Sequence, residues 1–213
     1  MTNSVIQEVI ALIDRSGSMR GKEDDTIGGI NSTFEVLKKD KPDNTTIKVS
    51  IKLFDHEEQL LIRSLPLDQV INITRSQYVV RGQTALLDAI GTTLAYFMEK
   101  KLVDSDAYDS CLIYIVTDGL ENSSKQYSNK KIKLMIANAD ENYNIKIIYL
   151  AANQDAILEA ANYGIDSSRA LNYSENSENV NAAYRAAAAV AVRSMTTGDA
   201  QFTQVERTAS NVN

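Results

Sequence analysis

The sequence predicts a three-layer α/β/α fold, with helices on both faces of a mostly parallel central sheet and one antiparallel strand at its edge. Along the 213 residues, apolar runs too short for helices alternate with longer segments of helical period, which is typical of a parallel sheet covered by helices. Two of the apolar runs stop abruptly at an aspartate, as strands do where a loop begins. A segment of period two followed closely by a further apolar run predicts the antiparallel edge strand.

The first half of the chain begins with a buried strand and an amphipathic helix. Residues 9–13 form a continuous apolar run that ends at Asp14, as expected of a central strand buried on both sides. Apolar residues at three- and four-residue spacing predict a helix over residues 22–39. Residues 47–53 alternate between apolar and polar side chains, and a short apolar run at 60–62 follows an acidic turn. We therefore expect a hairpin at the sheet edge.

The second half continues the alternation of strands and helices. Segments with one apolar helical face cover residues 84–101, 132–139, 154–163 and 180–191. The predicted strands are the apolar runs 111–117, 145–151 and 169–171. The first of these strands stops at Asp118, and Gly119 supplies the turn that follows.

The composition indicates one globular domain. At 44% hydrophobic and 23% charged residues, the chain has enough apolar material for a sizeable core. We expect this domain to span residues 1–195. Residues 196–213 are polar with little periodicity, so we expect them to form a loosely attached tail.

The charge and the cysteine content of the chain limit which binding partners and which cellular compartment we expect. The net charge of -6 comes from 28 acidic and 22 basic residues, without a basic cluster, which argues against nucleic acid as a partner. The single cysteine, Cys111, lies within an apolar run and allows no disulfide inside the chain. Because the sequence has neither a secretory leader nor a bilayer-spanning apolar stretch, we expect a cytoplasmic protein that is not anchored to a membrane. No pattern indicates the oligomeric state.

The two strand-end aspartates carry the chemistry that the sequence predicts. In open parallel sheets, ligands gather at the carboxyl ends of the strands, where loops converge. Asp14, Ser16 and Ser18 offer a carboxylate and two hydroxyls at alternate positions of one such loop. Thr84, at the start of a predicted helix, supplies a fourth oxygen, and Asp118 follows another strand.

This donor set predicts a hard divalent cation. All the candidate ligands are oxygens, with no imidazole or thiolate beside them in the sequence, which favours Mg²⁺ or Mn²⁺ and disfavours zinc. Ca²⁺ is less favoured because so few carboxylates are present. Three hydroxyls and at most two carboxylates leave such an ion incompletely neutralised, so we expect water or an external anionic oxygen to fill the remaining octahedral positions.

The chain resembles von Willebrand A domains, a Rossmann-like family, over about residues 5–195. The resemblance lies in the order and strand-end positions of the residues that form the metal-ion-dependent adhesion site of that family, here Asp14, Ser16, Ser18, Thr84, Thr117, Asp118 and Gly119. The stretches 82–90 and 117–122 are most similar to intracellular prokaryotic and phage members.

The resemblance implies a role for each matching residue. Ser16, Ser18 and Thr84 would be direct metal ligands, while Asp14 and Asp118 would bind directly or through water. A Glu or Asp of a protein partner would complete the coordination sphere. The expected function is therefore metal-dependent protein binding without catalysis.

Two further acids are candidates for the surroundings of the site. Asp88 lies one helical turn after Thr84, where it could orient a ligand hydroxyl or a metal-bound water, or simply be solvated or locally bonded. Glu121 lies just past Asp118 and could touch a ligand or serve a loop or capping role. His56, the only histidine, is expected at the surface.

Two other function classes remain open at this stage. Residues 16–23 partly match a phosphate-binding loop, which would suit an Mg²⁺-dependent enzyme acting on phosphates or nucleotides. However, Ser16 stands where that motif needs its first glycine, and Glu23 where it needs a hydroxyl. The third possibility is a scaffold that binds through another surface and uses the metal only for stability.

Overall fold

Within the described residues, the central sheet has six strands. The structure, a computed structural model, describes residues 4–152 and 155–211. The strands are β1 (Val5–Asp14), β2 (Thr45–Phe54), β3 (Glu58–Pro66), β4 (Ser110–Thr117), β5 (Ile145–Ala152) and β6 (Ala170–Tyr173). They lie in the order β3-β2-β1-β4-β5-β6.

All neighbouring strands pair in parallel except β3, which runs antiparallel to β2 at the edge. β1 is central and pairs with β2 on one side and β4 on the other, so its apolar residues are buried on both faces. The predicted fold class, including the antiparallel edge strand, is confirmed. Each predicted strand is present. Most of the strands extend beyond the predicted bounds at one or both ends, while β6 begins one residue later than predicted.

Helices cover both faces of the sheet. They are α1 (Glu23–Asp40), α2 (Leu86–Val103), α3 (Asn129–Tyr143), α4 (Ala156–Tyr163), α5 (Ser177–Thr197) and α6 (Gln204–Ala209). The apolar stripes of α1 and α5 pack on one face and those of α2, α3 and α4 on the other, giving two separate cores. In the described ranges, no helix has both the length and the apolar character needed to cross a bilayer.

Local capping explains where several helices begin and end. Asn176 accepts a hydrogen bond from the backbone of Asn179 and so begins α5. Gly164 ends α4 with φ of 84°, a conformation that glycine adopts without strain. The predicted start of that helix, Gln154, lies outside the described residues.

The segment after α5 differs from the expected loose tail. Residues 198–211 fold back on the domain, with Phe202 buried and its backbone N–H donating to Ser168 O at 2.9 Å. Arg207 donates to Ala170 O at 2.7 Å and packs its guanidinium over the Phe202 ring. The segment packs because Ala200 and Phe202 are buried apolar residues and Arg207 donates to the carbonyls near β6.

Replacing Phe202 by alanine tests this packing. Phe202→Ala should lower the free energy of unfolding by about 3 kcal/mol, because it removes a buried ring from the interface with the domain. Val205→Ala, an exposed position on α6, should change it by less than about 0.5 kcal/mol. Urea unfolding measures both, and equal small effects would show that the segment does not contribute to stability.

Candidate metal centre

Two of the predicted site residues lie at the ends of adjacent strands. Asp14 is the last residue of β1, and Asp118 directly follows the last residue of β4. The parallel pairing of these strands runs up to Ile13 and Val116, so both aspartates emerge at the same edge of the sheet. The loops that follow the two strands therefore meet.

Oxygen atoms from the end of β1, from the loop after it and from Thr84 surround one point next to Gly119. A β-carbon at residue 119 would lie 2.9 Å from both Ser18 Oγ and Thr84 Oγ1, and 3.5 Å from Asp14 Oδ2. Ser16 belongs to the same group, because its Oγ lies 3.0 Å from Ser18 Oγ. Glycine at 119 keeps this space open, since any side chain there would fill it. The structure thus brings four of the five predicted ligands together.

Asp14 is held by hydrogen bonds to both carboxylate oxygens. Ser16 N donates to Oδ1 at 2.6 Å, and Thr117 Oγ1 donates to Oδ2 at 2.6 Å. The hydroxyl of Tyr78 donates to the backbone oxygen of Asp14 at 2.5 Å. These bonds fix the carboxylate with one oxygen toward the group of hydroxyls.

Burial of Asp14 makes its negative charge unfavourable. Desolvation is the main cause and, with a smaller repulsion from Asp118, raises the pKa of Asp14 from 3.8 to about 6. The hydrogen bonds from Thr117 and Ser16 act in the opposite direction but do not cancel this effect. A cation bound here would relieve the penalty by neutralising the charge.

A buried ion cluster brings Thr84 to the site. The carboxylate of Asp55, at the end of β2, accepts from Arg15 Nε at 2.8 Å and from Arg81 Nε at 2.9 Å. The backbone N–H of Arg81 donates to Arg15 O at 2.8 Å. The N–H of Ala85 donates to Asp55 O at 2.8 Å. The segment that carries Thr84 is therefore fastened to the ends of both β1 and β2.

The two acids considered for the surroundings of the site bind backbone amides. Both carboxylate oxygens of Asp88 accept hydrogen bonds from the N–H groups of residues 125–127. Glu121 Oε2 accepts from Leu87 N at 2.9 Å, in the first turn of α2. Asp88 and Glu121 therefore hold the loop after β4 against the start of α2. Of the roles considered above, this is the locally bonded role for Asp88 and the loop role for Glu121.

Asp118 forms an ion pair with a lysine that the sequence did not single out as a site residue. Its Oδ2 accepts a hydrogen bond from Lys22 Nζ, which also donates to Glu175 Oε1. Burial lowers the pKa of Lys22, but the two hydrogen bonds outweigh it and raise the pKa above its ordinary value. The other oxygen, Asp118 Oδ1, is buried without a hydrogen-bond partner in the part of the chain that the structure describes.

A second group of potential ligands lies nearby but already has cationic partners. Donor atoms of Asp55, His56 and Glu57 lie within 4.8 Å of one another. Both carboxylates pair with Arg81, and Asp55 also pairs with Arg15. His56 is exposed, as predicted from the sequence. The arginines neutralise this group, so it is a structural ion cluster.

Sequence reasoning missed the roles of several residues around the site. Thr117 belongs to the motif matched in the sequence, but its hydrogen bond to Asp14 was not predicted; the residues that directly precede the two are paired in the register of β1 and β4. Lys22 and Glu175 lie far apart in the chain and at ordinary positions beside helix starts, so no local pattern indicates their contact. Tyr78 lies in an irregular segment whose path the sequence does not predict.

Comparison with solved structures shows the fold of von Willebrand A domains. A von Willebrand factor type A structure from Catenulispora acidiphila superposes with a TM-score of 0.65 and 14% identity, over 89% of this chain and 43% of that one. The proximal thread matrix protein 1 from the mussel byssus, with a zinc-occupied MIDAS motif, gives 0.58 and 10%, over 89% and 46%. Manganese-loaded TRAP protein from Plasmodium vivax gives 0.53 and 21%, over 70% and 57%.

These matches are structural, and at such identities they establish the fold. This chain spans less than two thirds of each of the three matched chains. No protein-family model matches the sequence, and neither does any curated protein.

The raised pKa of Asp14 predicts that the stability of the metal-free protein depends on pH. Because the folded state binds this proton more tightly than the unfolded chain does, the contribution of Asp14 to stability should fall as pH rises from about 4 to about 6, by about 3 kcal/mol in all. Asp14→Asn lacks the titrating group, so the difference in free energy of unfolding between this variant and the unmodified protein should change by that amount. Urea unfolding in EDTA across this range measures it. A difference that stays constant with pH would contradict the prediction.

Proposed function

We propose that this protein is a non-enzymatic, metal-dependent protein-binding module. The residues that would hold the ion are Asp14, Ser16, Ser18, Thr84 and Asp118. The observation that carries the proposal is the convergence of hydroxyl and carboxylate oxygens on one point beside Gly119, from the loop that begins at Asp14 and from Thr84. When bound, the ion would offer an open coordination position to a Glu or Asp side chain of a protein partner.

The chemistry of the donors supports Mg²⁺, with Mn²⁺ as an alternative and Ca²⁺ less favoured. Neighbouring ligands of an octahedral ion with bonds of about 2.1 Å lie about 3.0 Å apart. Ser16 Oγ and Ser18 Oγ are separated by 3.0 Å, which fits such an edge. Neither the single cysteine nor the single histidine belongs to this group of oxygens: Cys111 lies buried near the opposite end of β4, and His56 Nδ1 contacts Asp55.

The balance of charge supports an anionic partner. Of the five proposed ligands only Asp14 and Asp118 carry charge, and Lys22 already offsets part of the charge on Asp118. The hydroxyls of the other three would orient the ion without neutralising it. An external carboxylate therefore has a favourable electrostatic role at this edge of the sheet.

Exposed apolar residues at the same edge support a protein surface as the partner. Leu120, two residues after Asp118, is 58% exposed. Ile157 and Leu158, in the first turn of α4 after β5, are also exposed. A protein that presents an acidic side chain beside apolar ones would bury these leucine and isoleucine side chains on binding.

Removing one hydroxyl tests the proposed ligand set. Thr84→Val keeps the shape of the side chain but removes its oxygen, so it should weaken Mn²⁺ binding at least about tenfold. Thr93→Val is the matched control, because Thr93 is also buried but its hydroxyl donates within α2, to Ala89 O. Isothermal titration calorimetry measures both affinities. Equal affinities in the two variants would exclude Thr84 from the ligand set.

Capture of a carboxylate is tested with pairs of immobilised peptides that differ only by Glu or Gln. The protein in Mg²⁺ should bind members of the Glu set more strongly than their Gln partners, and EDTA should abolish the difference. Asp14→Asn should bind neither set. Binding that is insensitive to both EDTA and the Glu-to-Gln change would favour the scaffold alternative, and Mg²⁺-dependent release of phosphate from nucleotides would favour an enzyme.

A further inference from the structure

A lysine side chain occupies one side of a proposed metal ligand. Lys22 Nζ bridges Asp118 Oδ2 and Glu175 Oε1. The side chains of Lys22, Asp118 and Glu175 are 27%, 3% and 36% exposed, so the pair with Asp118 is largely screened from water while that with Glu175 lies nearer the surface. The ammonium therefore interacts with a buried carboxylate that the proposed ion also needs.

The local backbone holds this lysine in place. Gly21 has φ of 88°, which turns the chain immediately before Lys22, and its N–H donates to Glu23 Oε2 at 2.8 Å. Lys22 directly precedes α1, the helix that packs against α5. Glu175 lies between the end of β6 and the start of α5, at the same edge of the sheet as the site.

Two cations cannot both approach one carboxylate without repelling each other. Asp118 has one oxygen bound to the ammonium and one buried oxygen without a partner in the described residues. A divalent ion that binds this residue meets the positive charge of Lys22 in a poorly solvated environment, where charge repulsion is strong. Glu175 offers the ammonium a second acceptor that does not belong to the proposed ligand set.

The geometry points to Lys22 as a resident counter-cation that competes with the metal for Asp118, with Glu175 as the acceptor that retains the ammonium when the metal binds. Lys22 thereby limits the metal affinity of the site, and metal binding is coupled to loss of the Lys22 to Asp118 contact. This inference rests on the proposed function.

Mn²⁺ titration of four proteins tests the competition: the unmodified protein, Lys22→Met, Glu175→Gln and the double variant. Lys22→Met should bind Mn²⁺ about tenfold more tightly, because the competing charge is gone. Glu175→Gln should bind more weakly, because the ammonium loses its other acceptor. That weakening should largely disappear in the double variant, as expected when one residue acts through the other. Lys125→Met, an exposed lysine of the loop after β4, controls for the change in net charge.

Thermal unfolding with and without metal separates competition from a merely structural role. In EDTA, Lys22→Met should unfold at a lower temperature than the unmodified protein, because Asp118 loses its partner. In saturating Mn²⁺ the difference should vanish or reverse. A structural role alone would lower the unfolding temperature equally in both conditions.

The outcomes of these measurements distinguish failure of the competition from failure of the proposed function. If the unmodified protein binds Mn²⁺ and Lys22→Met binds it equally or more weakly, the competition is wrong and the proposed metal site stands. If Lys125→Met tightens binding as much as Lys22→Met does, the effect is one of net charge, and the inference is again overturned. If none of the proteins binds Mn²⁺, the proposed function itself fails.

Discussion

The burial of two carboxylates at the ends of adjacent parallel strands is the constraint on which the rest of this structure depends. Asp14 is fully buried, and the Asp118 side chain is nearly so. Ionised groups removed from water are unfavourable unless hydrogen bonds or opposite charges compensate them. The hydroxyl of Thr117, the backbone of Ser16 and the ammonium of Lys22 provide that compensation in part.

The positions of these carboxylates could be predicted because they follow from periodicity. A continuous apolar run that stops at an acid predicts a buried strand with that acid at its carboxyl end, and this reasoning placed both Asp14 and Asp118 correctly at strand ends. Thr84 was predicted from the start of the next amphipathic helix, although α2 begins two residues later, at Leu86. What the sequence could not indicate is how the side chains bond across loops, as in the contact of Lys22 with Glu175, because these depend on the tertiary path of the chain.

Two other features show where sequence reasoning is limited by the signals it uses. Residues 196–213 were expected to be loosely attached because they are polar and show little periodicity, and α6 is only six residues long. However, Thr203 and Glu206 form a capping box, a signal that is readable in the sequence and marks the start of α6. The ion cluster of Asp55 with Arg15 and Arg81 has no such signal, since its members come from three segments.

The same constraint links the support of the site to its proposed chemistry. The carboxylates of Asp88 and Glu121 accept hydrogen bonds from backbone amides, and that of Asp55 accepts them from arginines. These three acids therefore hold loops in place. Asp14 and Asp118 remain the acids whose compensation is incomplete, as the raised pKa of one and the unpartnered oxygen of the other show within the described chain. Acids whose charges are compensated thus surround two acids whose charges are compensated only in part. This arrangement favours cation binding, because folding of the chain has already removed the two charged groups from water before the ion binds.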